Sequence, residues 1–359
     1  MKPFRNSPMC NHLNIFQGTE SVKNYLNPGK AAYLPLVEIP TKLNPFLGDG
    51  IRIFAKMMTF TGMHNVKAIP AYNMLLEKYE RGELDGVAHV IENSSGNTVS
   101  ALAIVARLFG IEDTQAFVPD EVSWHKLLML RFYGITPIVN QEPQHPDPQD
   151  ARSGIYKART LGEQADWLNP GQYNNEDNPK AHQKWIGKQI WEQTAGEIAV
   201  FCAGLGTTGT IIGNSRFLKA QNERVQVVGV RRAAGNYVPG PRTEELLQLI
   251  GFDWQPHVDS LQDVTTVEAY QNSMQLSRSG LVAGPSSGLS LAGLLHYLEQ
   301  EKAARKLDAL RNAQGEIHCV FICPDTPLPY LDEYFKYLDQ ANFPTIKNEE
   351  WLLNQPHKT

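Results

Sequence analysis

Four short segments carry side chains whose types and spacing suit chemistry. Lys67 lies in FTGMHNVKAIPAYNMLL among Val66, Ala68, Ile69 and Ala71. Desolvation at such a position lowers an ammonium pKa and favours the neutral amine, which attacks carbonyl carbon to form a Schiff base. A solvated lysine on a helix is the plainer alternative. IENSSGNTVSAL, residues 91 to 102, offers Ser94, Ser95, Asn97 and Thr98 where a strand end meets a helix start. Hydroxyls, an amide and helix N-terminal N–H groups suit a carboxylate, and ordinary helix capping uses the same residues.

AGLGTTGTIIG, residues 203 to 213, follows the apolar run IAVFC. Its small residues let the backbone approach a ligand, and the amides opening the next helix face an anion such as phosphate. Gly204, Gly206 and Gly209 also satisfy GxGxxG, and Arg231 and Arg232 end the following strand, where they would suit an NADP 2′-phosphate. On this loop alone a phosphate, a dinucleotide and a structural turn all stand. LVAGPSSGLSLAGLL places Ser286 and Ser287 at a fourth junction of the same kind, with capping again the plain reading. Cys10 and His12 are only two potential ligands near a terminus, so no metal site is expected.

The elements that must position these residues alternate. GVAHVIE (86 to 92), TQAFVP (114 to 119) and ITPIVN (135 to 140) read as strands; VSALAIVARLF (99 to 109) and SWHKLLMLRFYG (123 to 134) read as helices between them. EIAVFCAG, IIGNSRFLKAQ and RVQVVGVR repeat the order, and EIHCVFICP adds a late strand. The expected class is α/β, with two largely parallel sheets whose ligands bind at the carboxyl ends of strands. The Pro-rich segment NQEPQHPDPQD (140 to 150) reads as a loop, with a domain boundary between 140 and 180.

Length and composition bound the rest. The 359 residues suggest about two domains. Lys plus Arg total 33 against 38 Asp plus Glu, a net charge of −5 that argues against nucleic acid as a partner. Four scattered cysteines describe no disulfide framework and fit a reducing cytoplasm; no signal peptide is expected from the first residues. Ser279 to Leu298 is uncharged, yet Gly280, Gly284, Pro285, Gly288 and Gly293 describe a turn and buried helix rather than a membrane span.

In the order lysine, SSGNT, GTTGT, SSG, the chain resembles the cysteine synthase and cystathionine β-synthase family of fold-type II pyridoxal-phosphate enzymes. LPLVEIP (34 to 40) and QYNNEDNPKAHQKWIGKQIWEQT (172 to 194) extend the resemblance from about 34 to 335. It implies a tryptophan synthase β-like architecture of two α/β domains, 34 to 170 with the lysine and 171 to 340 with the phosphate loop. Residues 1 to 33 and 341 to 359 would be extensions, and the active site the cleft between the domains. It also implies a cytoplasmic homodimer acting on a small amino acid and a small nucleophile.

The same resemblance implies that Lys67 holds pyridoxal 5′-phosphate as a Schiff base and later moves protons. Asn97 would bond the cofactor's 3′-oxygen. Ser94, Ser95, Thr98 and Gln172 would grip the substrate carboxylate, while Gly206, Thr207, Thr208, Gly209 and Thr210 cradle the phosphate. Ser286 would meet the ring nitrogen; a neutral hydroxyl there makes the ring a weaker electron sink, which favours β-elimination to an aminoacrylate and β-replacement. The implied reaction joins sulfide to an activated serine such as O-acetylserine. Cystathionine β-synthase, diaminopropionate synthase or serine/threonine dehydratase chemistry, and an inactive regulatory paralogue, are the alternatives. Met63 and His64 stand where the family has glycines, which leads us to expect a reshaped substrate side; Thr208 likewise replaces a glycine.

Overall fold

The computed structural model describes residues 14–141 and 147–352, so Cys10, His12 and part of the Pro-rich loop lie outside the described residues. Ten strands run in chain order: β1 (Leu36–Glu38), β2 (Ile51–Met57), β3 (His89–Asn93), β4 (Asp113–Pro119), β5 (Ile135–Asn140), β6 (Trp167–Leu168), β7 (Ile198–Gly204), β8 (Gln226–Arg232), β9 (Ser260–Val264) and β10 (Ile317–Cys323). They form a six-stranded sheet of order β1-β2-β10-β7-β8-β9 and a four-stranded sheet of order β5-β4-β3-β6. Among these strands of the described residues, β1 and β2 pair antiparallel and all other pairs are parallel. Parallel strands need crossover helices, which cover the sheet faces and allow near-continuous apolar strands such as IHCVFIC. This is the expected α/β architecture of two largely parallel sheets flanked by helices.

Side-chain alternation divides the large core between the two faces of the six-stranded sheet. Cys319, Phe321 and Cys323 of β10 join one apolar cluster, and Val320 and Ile322 join the other. The expected strands β3, β4 and β5, with helices Asn97–Leu108 and Trp124–Phe132 between them, build the smaller sheet. The uncharged stretch becomes helix Pro285–Ala303, packed so closely that a Cβ on Gly288 would lie 1.9 Å from the Ala269 carbonyl oxygen. No helix among the described residues is long and apolar enough to cross a membrane.

The sheets do not follow the expected division of the chain at 170. β1 and β2 precede Lys67, yet they complete the larger sheet, where Ile53 pairs with Cys319. Local alternation carries no signal for a partner so distant in sequence. The buried stripe Ile51, Ile53, Ala55 and Met57 can be covered only by the large core. The chain therefore starts in the larger layer, builds the smaller one and returns.

Two tethers hold the early segment. The fully buried Lys56 of β2 donates from Nζ to the Leu34 carbonyl, Gln189 Oε1 and Gln193 Oε1 at 2.7, 2.8 and 2.7 Å, tying β2 to helix Lys188–Gln193. The short helix Ser21–Leu26 covers the turn before Lys67, where a Cβ on Gly62 would lie 2.5 Å from Leu26 and 2.8 Å from Tyr25. Part of the expected N-terminal extension thus packs on the lysine turn.

Candidate active site

A cavity of about 580 Å³ opens at the carboxyl ends of β3, β7, β8 and β10, where open α/β sheets bind their ligands. Lys67 reaches it from the N-terminal end of helix Ala68–Glu80. The preceding turn is built by side chains: the Thr61 hydroxyl donates to the Asn65 carbonyl at 2.9 Å, and Asn65 Oδ1 accepts the Lys67 N–H at 2.9 Å. The Val66 N–H donates to the Pro324 carbonyl at 2.6 Å and Asn65 bridges Asp325, so the turn is pinned to the end of β10. Burial, aided by the Arg242 charge and opposed by Asp325, brings the Lys67 ammonium down to about 8. About a tenth of it is then neutral at pH 7.

Ser94, Ser95, Asn97 and Thr98 line the same cavity at the start of helix Asn97–Leu108, with Gln172 beside them. Thr98 donates its hydroxyl to Gln172 Oε1 at 2.8 Å, and Gln172 Nε2 donates to the Asn93 carbonyl at 3.1 Å. Behind them the buried Glu92 accepts the Asn93 N–H at 2.9 Å and the Gln172 N–H at 3.3 Å. Burial pushes Glu92 up to about 7, against the pull of those donors.

Across the cavity stand Gly206, Thr207 and Thr210, at the N terminus of helix Gly209–Gln221. Thr208 and Gly209 do not line the cavity. Thr208 is buried in the left-handed region, with φ of 68°, and turns its hydroxyl onto the Thr207 carbonyl at 2.6 Å. Gly209 is pressed by Asn178, whose Oδ1 would lie 2.2 Å from an added Cβ. Asn178 was not legible in the sequence as a site residue, yet its Nδ2 donates to the Gln172 carbonyl at 2.7 Å and to Thr207 Oγ1 at 3.3 Å, joining the two loops. Thr210 Oγ1 lies 3.2 Å from Nε2 of His182, a buried imidazole in the π-turn His182–Gly187. Burial and the Lys67 charge bring His182 down to about 3, so it is neutral.

Ser286 enters from the first turn of helix Pro285–Ala303, and its hydroxyl donates to Asp325 Oδ1 at 3.4 Å. Asp325, also missed in the sequence, accepts from Asn97 Nδ2 and the Tyr330 hydroxyl, each at 2.7 Å. Burial raises its pKa, while those three donors and Lys67 act in the opposite direction.

Two expectations are corrected. Met63 packs against the core around Tyr72 and Leu75, and His64 is exposed at φ of 56°, with Nδ1 donating to the Thr59 carbonyl at 3.1 Å. Neither lines the cavity, because the turn directs both away from the Lys67 amine. Of the two arginines offered for a dinucleotide, Arg231 is held by both Asp263 oxygens, at 2.9 and 2.8 Å, and by Glu244 at 3.2 Å, while Arg232 lines the cavity.

The residues present fit pyridoxal phosphate. The first N–H groups of helix Gly209–Gln221 have no intrahelical acceptor and, with the Thr207 and Thr210 hydroxyls, make a phosphate site. The Lys67 amine shares the cavity, as an aldehyde partner must. An amine able to condense with a carbonyl, in one cavity with a helix N terminus whose donors suit a phosphate, is the arrangement an enzyme built around this cofactor requires.

Comparison with known proteins agrees. Residues 33–309 match the family model described as pyridoxal-phosphate dependent enzyme. The chain is 34% identical over 262 residues to cysteine synthase B of Salmonella typhimurium, covering 73% of this chain and 84% of that protein. It is 32% identical over 302 residues to the cysteine synthase of Aquifex aeolicus, covering 83% and 88%. The crystal structure of cysteine synthase from Entamoeba histolytica shares the fold, with a TM-score of 0.72 over 95% of this chain and 96% of that one at 21% identity. The chain belongs to the pyridoxal-phosphate dependent enzyme family and is a cysteine synthase-like member of it.

Proposed function

We propose that this protein catalyses β-replacement on an activated serine, forming cysteine with sulfide. The observation that carries the reading is the convergence of Lys67, the Ser94–Gln172 grip and the Thr207–Thr210 loop, from distant parts of the chain, on one cavity. The names of the relatives support the choice of product. When bound, the cofactor supplies the electron sink that makes the substrate α-proton removable.

The chain supplies the rest. Gly206, Thr207, Thr210 and the helix N terminus hold the phosphate, with Thr208 and Gly209 shaping that loop. Asn97 keeps one amide hydrogen beyond the one given to Asp325, and this hydrogen serves the 3′-oxygen. Ser94, Ser95, Thr98 and Gln172 orient the carboxylate so that the α-proton faces Lys67, whose Nζ takes it and later returns it. Ser286 would meet the ring nitrogen, its hydroxyl oriented by Asp325 Oδ1 at 3.4 Å.

The homodimer and the cytoplasmic location belong to the same proposal. A mass measurement in solution tests the first; the buried free thiols of Cys202, Cys319 and Cys323 are consistent with the second. The test of function is cysteine formation from O-acetylserine and sulfide by yellow, cofactor-loaded protein, with colour and activity both lost in Lys67→Ala. A coloured protein that releases no cysteine would overturn the reading while leaving the family intact.

A further inference from the structure

A second cavity, of about 350 Å³, lies behind the substrate grip. One wall belongs to the smaller layer, with Glu92 near the end of β3 and Ile155 and Arg159 from helix Gly154–Leu161. Facing it are residues 248–251, from the connection between β8 and β9 of the larger sheet. The turn 171–174 separates this cavity from the first: Gln172 lines the first, Gly171 and Asn174 the second, and Tyr173 both. That partition is thin and tight. The Asn174 and Asn175 N–H groups donate to the Gly171 carbonyl at 3.1 and 2.9 Å, and a Cβ on Gly251 would lie 3.2 Å from the Tyr173 carbonyl oxygen.

Glu92 is 2% exposed, and its oxygens meet only neutral donors, the N–H groups of Asn93 and Gln172 and the side-chain amides of Asn169 and Gln172. With no cation against it among the described residues, burial holds its carboxyl up near 7. Arg159 is half-buried, rests 5.3 Å from the Tyr156 ring centre and has no carboxylate partner among the described residues. Asp147, the other acid of the cavity, turns Oδ1 to the Gln149 N–H at 2.8 Å. Ile155, Leu249 and Ile250 add apolar lining. An unpaired buried acid, an unpaired guanidinium and apolar surface in one cavity complement a ligand that carries an ammonium, a carboxylate and a hydrocarbon group.

We propose that this second cavity binds an α-amino acid with an apolar side chain, its ammonium on Glu92 and its carboxylate on Arg159, and that the occupant weakens the substrate grip. The binding stands on the cavity alone; its effect on the grip rests on the β-replacement reading above. An ammonium draws the Glu92 carboxylate toward the cavity. Of its two backbone bonds the one to Gln172, at 3.3 Å, is the longer and yields first. The Gln172 side chain, bonded to Thr98 and the Asn93 carbonyl, moves with its backbone. A looser grip raises KM for the serine donor more than it lowers kcat, and by linkage the donor weakens binding of the amino acid by the same factor.

The experiment titrates cofactor-loaded protein with L-leucine in a calorimeter while cofactor absorbance is followed in parallel. Leucine should bind without changing the absorbance. Leucinamide, which lacks the carboxylate, and isocaproate, which lacks the ammonium, should each bind about tenfold or more weakly. Arg159→Ala should weaken leucine binding to the same degree, with partial recovery in Arg159→Lys, and should leave kcat and KM measured without leucine as in wild type. Saturating leucine should raise KM for O-acetylserine about fivefold or more in wild type and leave it unchanged in Arg159→Ala. Absence of binding overturns the proposal, as does binding that shifts the cofactor absorbance and survives in Arg159→Ala, which would place leucine at Lys67. Binding that needs Arg159 but leaves KM unchanged overturns the coupling. Arg159-dependent binding in a protein that does not turn over O-acetylserine with sulfide would sink the β-replacement reading and keep the site.

Discussion

Asp325 accepts the Asn97 side-chain amide at 2.7 Å, which joins the end of β10 in the larger sheet to the first turn of a helix in the smaller layer. The same carboxylate takes the Ser286 and Tyr330 hydroxyls and lies close enough to Lys67 to oppose the fall in its pKa. One buried acid therefore links the groups proposed to meet the ring nitrogen, the 3′-oxygen and the aldehyde carbon.

Asp325→Asn keeps the shape and removes the charge. The Lys67 pKa should fall below its value of about 8, because Asp325 raises it. Arg242→Ala should move it up, because Arg242 lowers it. Capture of pyridoxal phosphate by cofactor-free protein, followed against pH, reads both. Its midpoint shifts to lower pH in the first variant and higher in the second; a common midpoint in all three proteins would refute this account.

In wild type the capture rate should rise with pH through about 8, because the neutral amine reacts. The same depression sets a stability trend. The folded pKa lies below the ordinary lysine value of 10.5, so the destabilising effect is complete below about 8 and disappears above 10.5. Lys67→Met should abolish activity and raise the melting temperature of cofactor-free protein at pH 7.

Burial pulls Lys56 down to about 7, yet its three oxygen acceptors need the three hydrogens of an ammonium. Lys56→Met would leave Gln193 Oε1 without this donor, the Leu34 carbonyl with Gln193 Nε2 and Gln189 Oε1 with the Leu34 N–H, and should destabilise the fold by about 1–3 kcal/mol in denaturant titration. An unchanged unfolding midpoint would show that the three bonds contribute nothing net.

Gly209→Ala forces Asn178 away from the Cβ and so loosens its bonds to Gln172 and Thr207. Fluorescence titration should show pyridoxal-phosphate affinity down by about tenfold or more, since at least one buried bond is lost. Asn178→Ala should reproduce most of that loss. If it binds the cofactor as wild type does, the proposed link between the loops is wrong.

Thr208 holds φ of 68°, a conformation that disfavours side chains with a β-branch. Thr208→Gly should gain about 1 kcal/mol from relief of that strain. The gain is reduced by loss of the hydroxyl bond to Thr207. Chemical denaturation measures the balance, and a net loss would show that the bond outweighs the strain.

Strand periodicity and loop chemistry are local properties, and they made much of this protein legible in sequence. The runs read as β3, β4, β5, β7, β8 and β10 form strands, and each small-residue junction opens a helix. Lys67, SSGNT, GTTGT and SSG were visible because their residue types suit the tasks without reference to a partner. The sequence alone did not show the destination of β1 and β2, the outward turn of Met63 and His64, or the Asn178 and Asp325 bridges. Asn178 reads as one more helix residue and Asp325 as part of a Pro-rich turn; their roles arise only when β10 and the helices bring distant segments within hydrogen-bond reach. Arg231 and Arg232 give the clearest contrast, being alike and adjacent in sequence. Folding puts Asp263 and Glu244 against one and leaves the other in the cavity over Tyr237, because alternate residues of a strand face opposite ways.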